Sequence, residues 1–464
     1  MSENPPAVAD LSVELLRRYN VPGPRYTSYP TAPVWREGFG ARDYETVLAE
    51  SAAAERPAPL SIYVHLPFCE HLCYFCACTV VISGNHAVEE PYLATLEKEI
   101  EWVSSRAGAD REVVQLHWGG GTPTYFSPAR VRSLAGRLRE AFRFAEDAEV
   151  SVEIDPRVTT REHLQVLREM GFNRVSMGVQ DFDPAVQESI NRIQSPEQTG
   201  SLVADARELG YGGINIDLIF GLPLQTPESF ARTIDRVLAI GPDRLAVYSY
   251  ANVPWMKKHQ KLLEPKLPSE REKFEIFRTA LARFSEAGYE YIGMDHFARP
   301  DDELSRARRN RTLHRNFQGY TTKAGTDLLG LGMSAIGAIG DAFVQNRREL
   351  PAYRAAVESE GAATFRGFHL SFDDRLRRDV IASLLCHGIV AIPEVEAKHG
   401  IRFGEYFADA LEGLRPCAAD GLVEISASAI TATPLGRVFL RNLAMPFDAY
   451  LPAQLEKPVF SRTL

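Results

Sequence analysis

The chain has 464 residues, with 52 Lys plus Arg against 61 Asp plus Glu and a formal charge of −9, a balance that disfavours whole-chain attraction to nucleic acid or to an anionic membrane. With 45% hydrophobic and 24% charged residues it is far from a disordered composition, and it is long enough for roughly two to four structural units around a large core. The longest nearly apolar run, Leu328 to Gly340, is shorter than the ~20 residues a membrane-spanning helix needs, and Met1 to Asp10 lacks the basic-then-apolar pattern of a secretory signal, so a cytoplasmic, monomeric protein is expected.

In chain order, Val21 to Thr31 carries three prolines and is expected to be an extended arm, because proline fixes φ and cannot donate to a ladder. Strands are then predicted at Ser61 to Leu66, Val113 to Trp118, Val150 to Ile154, Arg174 to Gly178, Ile214 to Ile219, Leu245 to Tyr250 and Tyr289 to Met294. Between them, apolar residues at three- and four-residue spacing predict helices at Tyr92 to Ser105, Pro128 to Phe142, Arg161 to Met170, Leu202 to Leu209, Phe230 to Ile240 and Arg271 to Glu286. This alternation predicts an α/β fold, a parallel sheet with helical crossovers that is either open or closed into a partial or complete barrel. In either case the ligand lies at the C-terminal ends of the strands. Beyond about Gly367, helices at Asp373 to Leu385 and Phe403 to Leu414 and a hairpin within Gly421 to Ile430 suggest a small helical or winged-helix-like domain without a basic DNA-reading face. The expected organisation is an N-terminal arm and helix over 1–55, a (β/α) domain over 56–366 and the small domain over 367–464.

Four of the six cysteines, Cys69, Cys73, Cys76 and Cys78, fall within ten residues directly after the first strand. In a chain without an export signal, this clustering points to metal ligation or redox work rather than disulfides. The CxxxCxxC spacing suits a polynuclear iron site with three thiolates on one loop. A zinc site completed by His65, His71 or Cys78, and a closed four-cysteine cluster, remain open on spacing alone. Cys386 and Cys417 read as buried small hydrophobes. At the strand ends, Gly119 to Gly121 allow close backbone approach, Glu153 and Gln180 offer polar side chains, and Asp217 is a carboxylate inside an apolar strand that needs a partner. For each carboxylate the plain alternative is a structural ion pair.

Several segments carry a resemblance. CxxxCxxC with an aromatic before the third cysteine is similar to the signature of radical S-adenosylmethionine (SAM) enzymes. Tyr63-Val-His65-Leu-Pro67-Phe68-Cys69, Cys76-Ala77-Cys78, His117-Trp118-Gly119-Gly120-Gly121-Thr122-Pro123-Thr124, Gly293-Met-Asp-His-Phe-Ala-Arg-Pro300 and Pro24-Arg-Tyr-Thr-Ser-Tyr-Pro-Thr31 together resemble the oxygen-independent coproporphyrinogen III oxidases over nearly the whole chain. One departure is Ala77, where the family commonly has Gly. The resemblance implies a radical-SAM (β/α) barrel with a [4Fe-4S] cluster on Cys69, Cys73 and Cys76, and one or two SAM molecules contacted by Tyr63, Phe75, Gly120, Gly121, Thr122, Glu153, Gln180, Arg192, Asp217, Ala251 and Ile336. It further implies that Cys78 and Glu153 serve catalysis and that a 5′-deoxyadenosyl radical takes hydrogen from propionates of coproporphyrinogen III, so that loss of carbon dioxide and an electron leaves vinyl groups. Such a reaction needs an external electron donor and acceptor. Arg25, Tyr26 and Arg299 are the leading substrate contacts, with the run Arg306, Arg308, Arg309, Arg311 and Arg315 as further candidates. The alternative is a haem-binding chaperone of the same superfamily. Cys78 and the Pro24 to Thr31 arm speak against it.

Overall fold

The computed structural model describes residues 11–455 and 459–464, so Met1 to Asp10, where no signal pattern was read, lies outside the described residues. The centre of the molecule is a sheet of 13 strands. The strands are Arg36–Glu37, β1 Leu60–Leu66, β2 Glu112–Gly120, β3 Arg143–Ile154, β4 Arg174–Gln180, β5 Gly213–Phe220, β6 Arg244–Ser249, β7 Glu290–Gly293, β8 His296–Ala298, β9 Asp327–Leu331, β10 Ile336–Ile339, β11 Ala342–Asn346 and β12 Thr364–His369. Their spatial order is Arg36–Glu37, β12, β11, β10, β9, β1, β2, β3, β4, β5, β6, β8, β7. The run β9-β1-β2-β3-β4-β5-β6 is parallel and the flanks are antiparallel. The outermost strands, Arg36–Glu37 and β7, do not meet, so the barrel is partial.

Helices Glu89–Ser104, Pro128–Ala141, Arg161–Glu169, Pro196–Glu208 and Pro227–Ile240 make the five crossovers from β1 to β6. Thr160, Ser195 and Thr226 accept from backbone N–H groups of their first turns, the expected N-cap chemistry. Gly241 closes the last of these helices at φ 71°, a left-handed cap that glycine takes at least cost. Apolar side chains fill the space between helices and sheet: Trp118, Phe172, Phe230, Phe274 and Phe284 are fully buried. Alternate strand residues face the opposite way, into the lumen, and these are polar: Gln115 and His117, Glu149, Ser151 and Glu153, Arg174 and Ser176, Asn215 and Asp217 line one cavity.

Two expectations change. The strand predicted at Tyr289 to Met294 exists as β7, but it does not continue the parallel series. The chain turns at Met294 and Asp295, and β8 returns antiparallel between β6 and β7. The apolar run Leu328 to Gly340, informative in the sequence only as too short to span a membrane, supplies all but the first residue of β9 and the whole of β10; β9 pairs parallel with β1. A strand buried on both faces reads as a continuous apolar run without alternation.

After the sheet, helices Phe372–His387, Ile392–His399, Phe403–Tyr406 and Ala408–Ala419 accompany a three-stranded antiparallel sheet of Ile389–Ala391, Val423–Ile425 and Ala429–Ala432. The helix expected at Phe403 to Leu414 is interrupted at Phe407, whose ring packs against Phe403 and Phe447. Strand β12 runs across the expected 366/367 boundary. No described helix is long and apolar enough to cross a membrane.

Candidate active site

The cysteine loop leaves β1 at Leu66 and lies over the C-terminal ends of the parallel strands. There it borders a cavity of about 260 Å³ lined by all four clustered cysteines together with Phe75, Gly120, Gly121, Thr122, Glu153, Gln180, Arg192 and Asp217. Of the residues expected at the site, these come together. Tyr63, Ala251 and Ile336 are not in the lining. Tyr63 lies one layer deeper, stacked on His117 at 6.0 Å and hydrogen-bonded to His65 Nδ1 at 3.0 Å. Ile336 packs with Trp35 and Phe343, and its backbone crosses Gly330, the sheet neighbour of Tyr63.

Glu153 receives the Gly120 N–H at 3.1 Å and meets His117 Nε2 at 3.3 Å. Burial alone would raise its pKa, but His117, the Gly120 N–H and His65 together hold it below the usual carboxylate range. Two strands away, Asp217 is bonded by Asn215 Nδ2 at 2.7 Å and Ser176 Oγ at 3.2 Å. Burial and then the charge on Glu153 push it up to about 7 against those bonds. The two lumen carboxylates are thereby driven apart, one ionised and one poised near neutrality.

The glycine run works differently from the open approach surface read in the sequence. A Cβ at Gly119 would meet the Glu153 carboxyl at 2.8 Å, one at Gly120 (φ +108°) the His65 ring at 2.4 Å, and one at Gly121 the Pro67 carbonyl carbon at 2.5 Å. The missing side chains let the site's own parts interlock. Gln180 is held at φ 70° where the ladder to β5 shifts register between Gly178 and Gln180. The bulge swings its side chain to the cavity.

Sequence reasoning missed three groups. Asp155, two residues beyond Glu153, binds Arg157 at 2.7 Å and Arg192 at 3.0 Å. Burial opposes its ionisation, but the two guanidinium groups hold it at about 2. The same arginines approach the Cys73 sulfur, Arg157 at 3.3 Å and Arg192 at 3.6 Å, so they place positive charge where a thiolate would sit. Finally, the 3-10 helix Lys258–Leu262 and its flank clasp the cysteine loop: Lys257 donates to the Cys78 carbonyl at 2.6 Å, Gln260 to that of Phe75 at 2.8 Å, and His259 Nε2 lies 3.0 Å from the Cys76 carbonyl. The i, i+2 spacing of Glu153 and Asp155 was a usable signal. The clasp had none, since its contacts are long-range and to backbone.

Among the substrate candidates, Arg25 binds Asp295 at 2.7 Å and lies over the Tyr248 ring at 5.5 Å; Tyr248 itself lines the cysteine cavity. Tyr26 is buried, its hydroxyl donating to Asp448, and borders a second cavity. Arg299 is a correction. Because β8 runs back antiparallel, Arg299 emerges at the N-terminal end of β6, where it donates to the Gly241 and Pro242 carbonyls, at the opposite end of the sheet from the cysteines. Of the arginine run, Arg308 and Arg309 bind Glu290.

Comparison with known proteins is consistent with this arrangement. The Radical SAM superfamily model matches residues 63–237 and the HemN C-terminal domain model residues 370–439. The oxygen-independent coproporphyrinogen III oxidase of Salmonella typhimurium is 48% identical over 457 residues, 98% of this chain and 99% of that protein; that of Escherichia coli is 47% identical over 456 residues, 98% and 99% respectively. The solved structure of the Escherichia coli coproporphyrinogen III oxidase HemN, described as a radical SAM enzyme, superimposes with a TM-score of 0.90 at 46% identity, covering 95% of this chain and 99% of that one. Its C-terminal unit, its partial barrel and its cysteine loop thus place the chain in the oxygen-independent coproporphyrinogen III oxidase family of radical SAM enzymes.

Proposed function

We propose that the chain oxidatively decarboxylates two propionates of coproporphyrinogen III to vinyl groups, giving protoporphyrinogen IX, with Cys69, Cys73 and Cys76 holding a [4Fe-4S] cluster and SAM lying in the adjoining cavity. The observation that carries this reading is the convergence of the three-thiol loop with Glu153, Gln180, Arg192 and Asp217 on one cavity in a chain so similar to enzymes of that name. The residues fit the cofactor. Among the described residues no three His, Cys, Asp or Glu side chains gather as a single-ion site, which a tetrahedral zinc would require, whereas thiols spread along the wall of a cavity suit a polynuclear group. The buried Nε of Arg192, without a hydrogen-bond partner in the protein, leaves a donor for a bound anion beside Cys73.

When bound, the cluster and SAM supply one-electron chemistry that ends in hydrogen abstraction from carbon. The protein supplies position and electrostatics. Glu153, ionised, can accept from an ammonium or from ribose hydroxyls. Arg157 and Arg192 offset the charge of the Cys73 thiolate, and Asp155 keeps both guanidinium groups in place. The Lys257 to Gln260 clasp covers the cysteine loop from outside and limits the access of water and oxygen. Arg25, at Tyr248 beside the cavity, meets a propionate. Cys78, exposed and two residues past the last ligand, assists the substrate half of the reaction. The reaction needs an external one-electron donor and an acceptor, and we assign it to the cytoplasm and to a monomer.

The test is anaerobic incubation of reconstituted protein with coproporphyrinogen III, SAM and a strong reductant. Protoporphyrinogen IX, methionine and 5′-deoxyadenosine are expected. Alanine at Cys69, Cys73 or Cys76 should abolish the iron-sulfur absorption and SAM cleavage, whereas Cys78→Ser should keep both and lose most product. Stoichiometric zinc without iron, or full activity of Cys78→Ser, would overturn the corresponding assignment.

A further inference from the structure

A second cavity, of about 360 Å³, lies between the arm residues Tyr26 to Tyr29, the hairpin formed by His314–Asn316 and Gly319–Thr321, and helix Phe372–His387. It shares no lining residue with the cysteine cavity. Arg315 projects into it from the hairpin. Its Nε and Nη1 are buried and have no hydrogen-bond partner, and its guanidinium contacts the Tyr320 ring at 4.9 Å. The acids in the lining do not serve it. Asp327 is bonded by Arg111 at 2.5 Å and by the Gly340 N–H at 2.8 Å, and Asp379 by Lys398 at 2.7 Å and His399 at 2.8 Å. Arg378, the other lining arginine, is turned toward Asp341 at 3.8 Å.

Two buried N–H donors of a charged group left without acceptors are unfavourable, and an anion entering the cavity would satisfy them. The unmet Nε–H and Nη1–H of Arg315 are charge-assisted donors of the kind a carboxylate accepts from. The arm links this cavity to the reaction centre within one residue step, since Arg25 lies over Tyr248 of the cysteine cavity and Tyr26 lines the Arg315 cavity. A ligand extending under the arm would reach both. On the substrate reading above, we infer that Arg315 seats a propionate that is not decarboxylated, and so anchors the macrocycle by the edge away from the cysteines.

The test uses the full chain and coproporphyrin III, the stable oxidised macrocycle, titrated by fluorescence. Arg315→Met should weaken binding about 10- to 100-fold, the range for losing a charge-assisted pair, and Arg315→Lys should recover part of the loss. The tetramethyl ester should bind wild type and Arg315→Met alike. In turnover, Arg315→Met should raise KM for the porphyrinogen by a similar factor with little change in kcat. Without ligand, Arg315→Met should melt at or above the wild-type temperature, because the variant removes two buried N–H donors that have no acceptor; a lower melting temperature together with lost binding would mark Arg315 as structural and overturn the inference. Equal coproporphyrin binding by wild type and Arg315→Met would also overturn it, as would weakened SAM binding with porphyrin binding intact, since the carboxylate would then be that of SAM. If wild type itself neither binds coproporphyrin nor converts the porphyrinogen, the substrate reading fails first.

Discussion

Glu153 and Asp217 face the same lumen with opposite protonation tendencies, and their neighbours account for the difference. Glu153 has a histidine and a backbone N–H to stabilise its charge, whereas Asp217 has two neutral donors and a carboxylate nearby. SAM carries a sulfonium and an ammonium, so its affinity is expected to rise as Asp217 ionises, with an inflection near pH 7. In Asp217→Asn the inflection should vanish. Glu153→Gln should keep the cluster spectrum and the melting temperature but weaken SAM binding at least about tenfold, the loss of one charge-assisted bond. Equilibrium binding across pH 6 to 8.5 checks both. The sequence showed Glu153 because it sits at the C-terminal end of a strand, and Asp217 because it interrupts an apolar one. It could not show the approach of Arg157 to Cys73 or the Lys257 to Gln260 clasp, which arise from contacts between segments distant in the chain. Arg299 was misplaced for a related reason: strand direction decides which end of a sheet a residue occupies, and direction is not written in a strand's own pattern.

Among the elements, helix Glu89–Ser104 shows how the strand ends are fixed. Its Tyr92 donates to the His65 carbonyl at 2.6 Å, and its fully buried Glu99 accepts from the Gly332 N–H at 2.7 Å, Asn346 Nδ2 at 2.6 Å and Tyr353 Oη at 2.8 Å. One carboxylate thus ties a crossover helix to the turn after β9, to β11 and to helix Leu350–Glu360. Glu99→Ala should cost about 3 kcal/mol by leaving several buried donors unsatisfied. Burial pushes Glu99 up to about 7 despite these bonds. The native state therefore holds a proton that the unfolded chain, near 4.5, has released, and stability should fall as pH rises between those values. Glu99→Gln should flatten that slope in denaturant titrations. The crossover helices were legible because their apolar stripes and caps are local. β9 was not, because a strand buried on both faces has no period to read.

At the scale of the whole molecule, one hydrophobic core runs without interruption from Leu11 through the sheet to Phe403, Phe439 and Leu464, so the sheet and the C-terminal unit should unfold in a single calorimetric transition. The sequence suggested separate domains because the element pattern changes near Gly367, but a change of pattern does not require a break in packing. The contacts at β7 carry a further consequence. This outermost strand is met by the C-terminal unit: Arg437 donates to the Ile292 carbonyl at 3.3 Å, and Cys386 shares a buried cluster with Ile292 and Tyr320. A sheet that does not close presents ladder groups to any passing strand, and the C-terminal unit blocks that template. A chain ending at His369 should therefore elute as soluble aggregates rather than as a smaller monomer. The unit that follows the catalytic barrel would then owe part of its place in the fold to keeping one copy of this protein from polymerising onto the next.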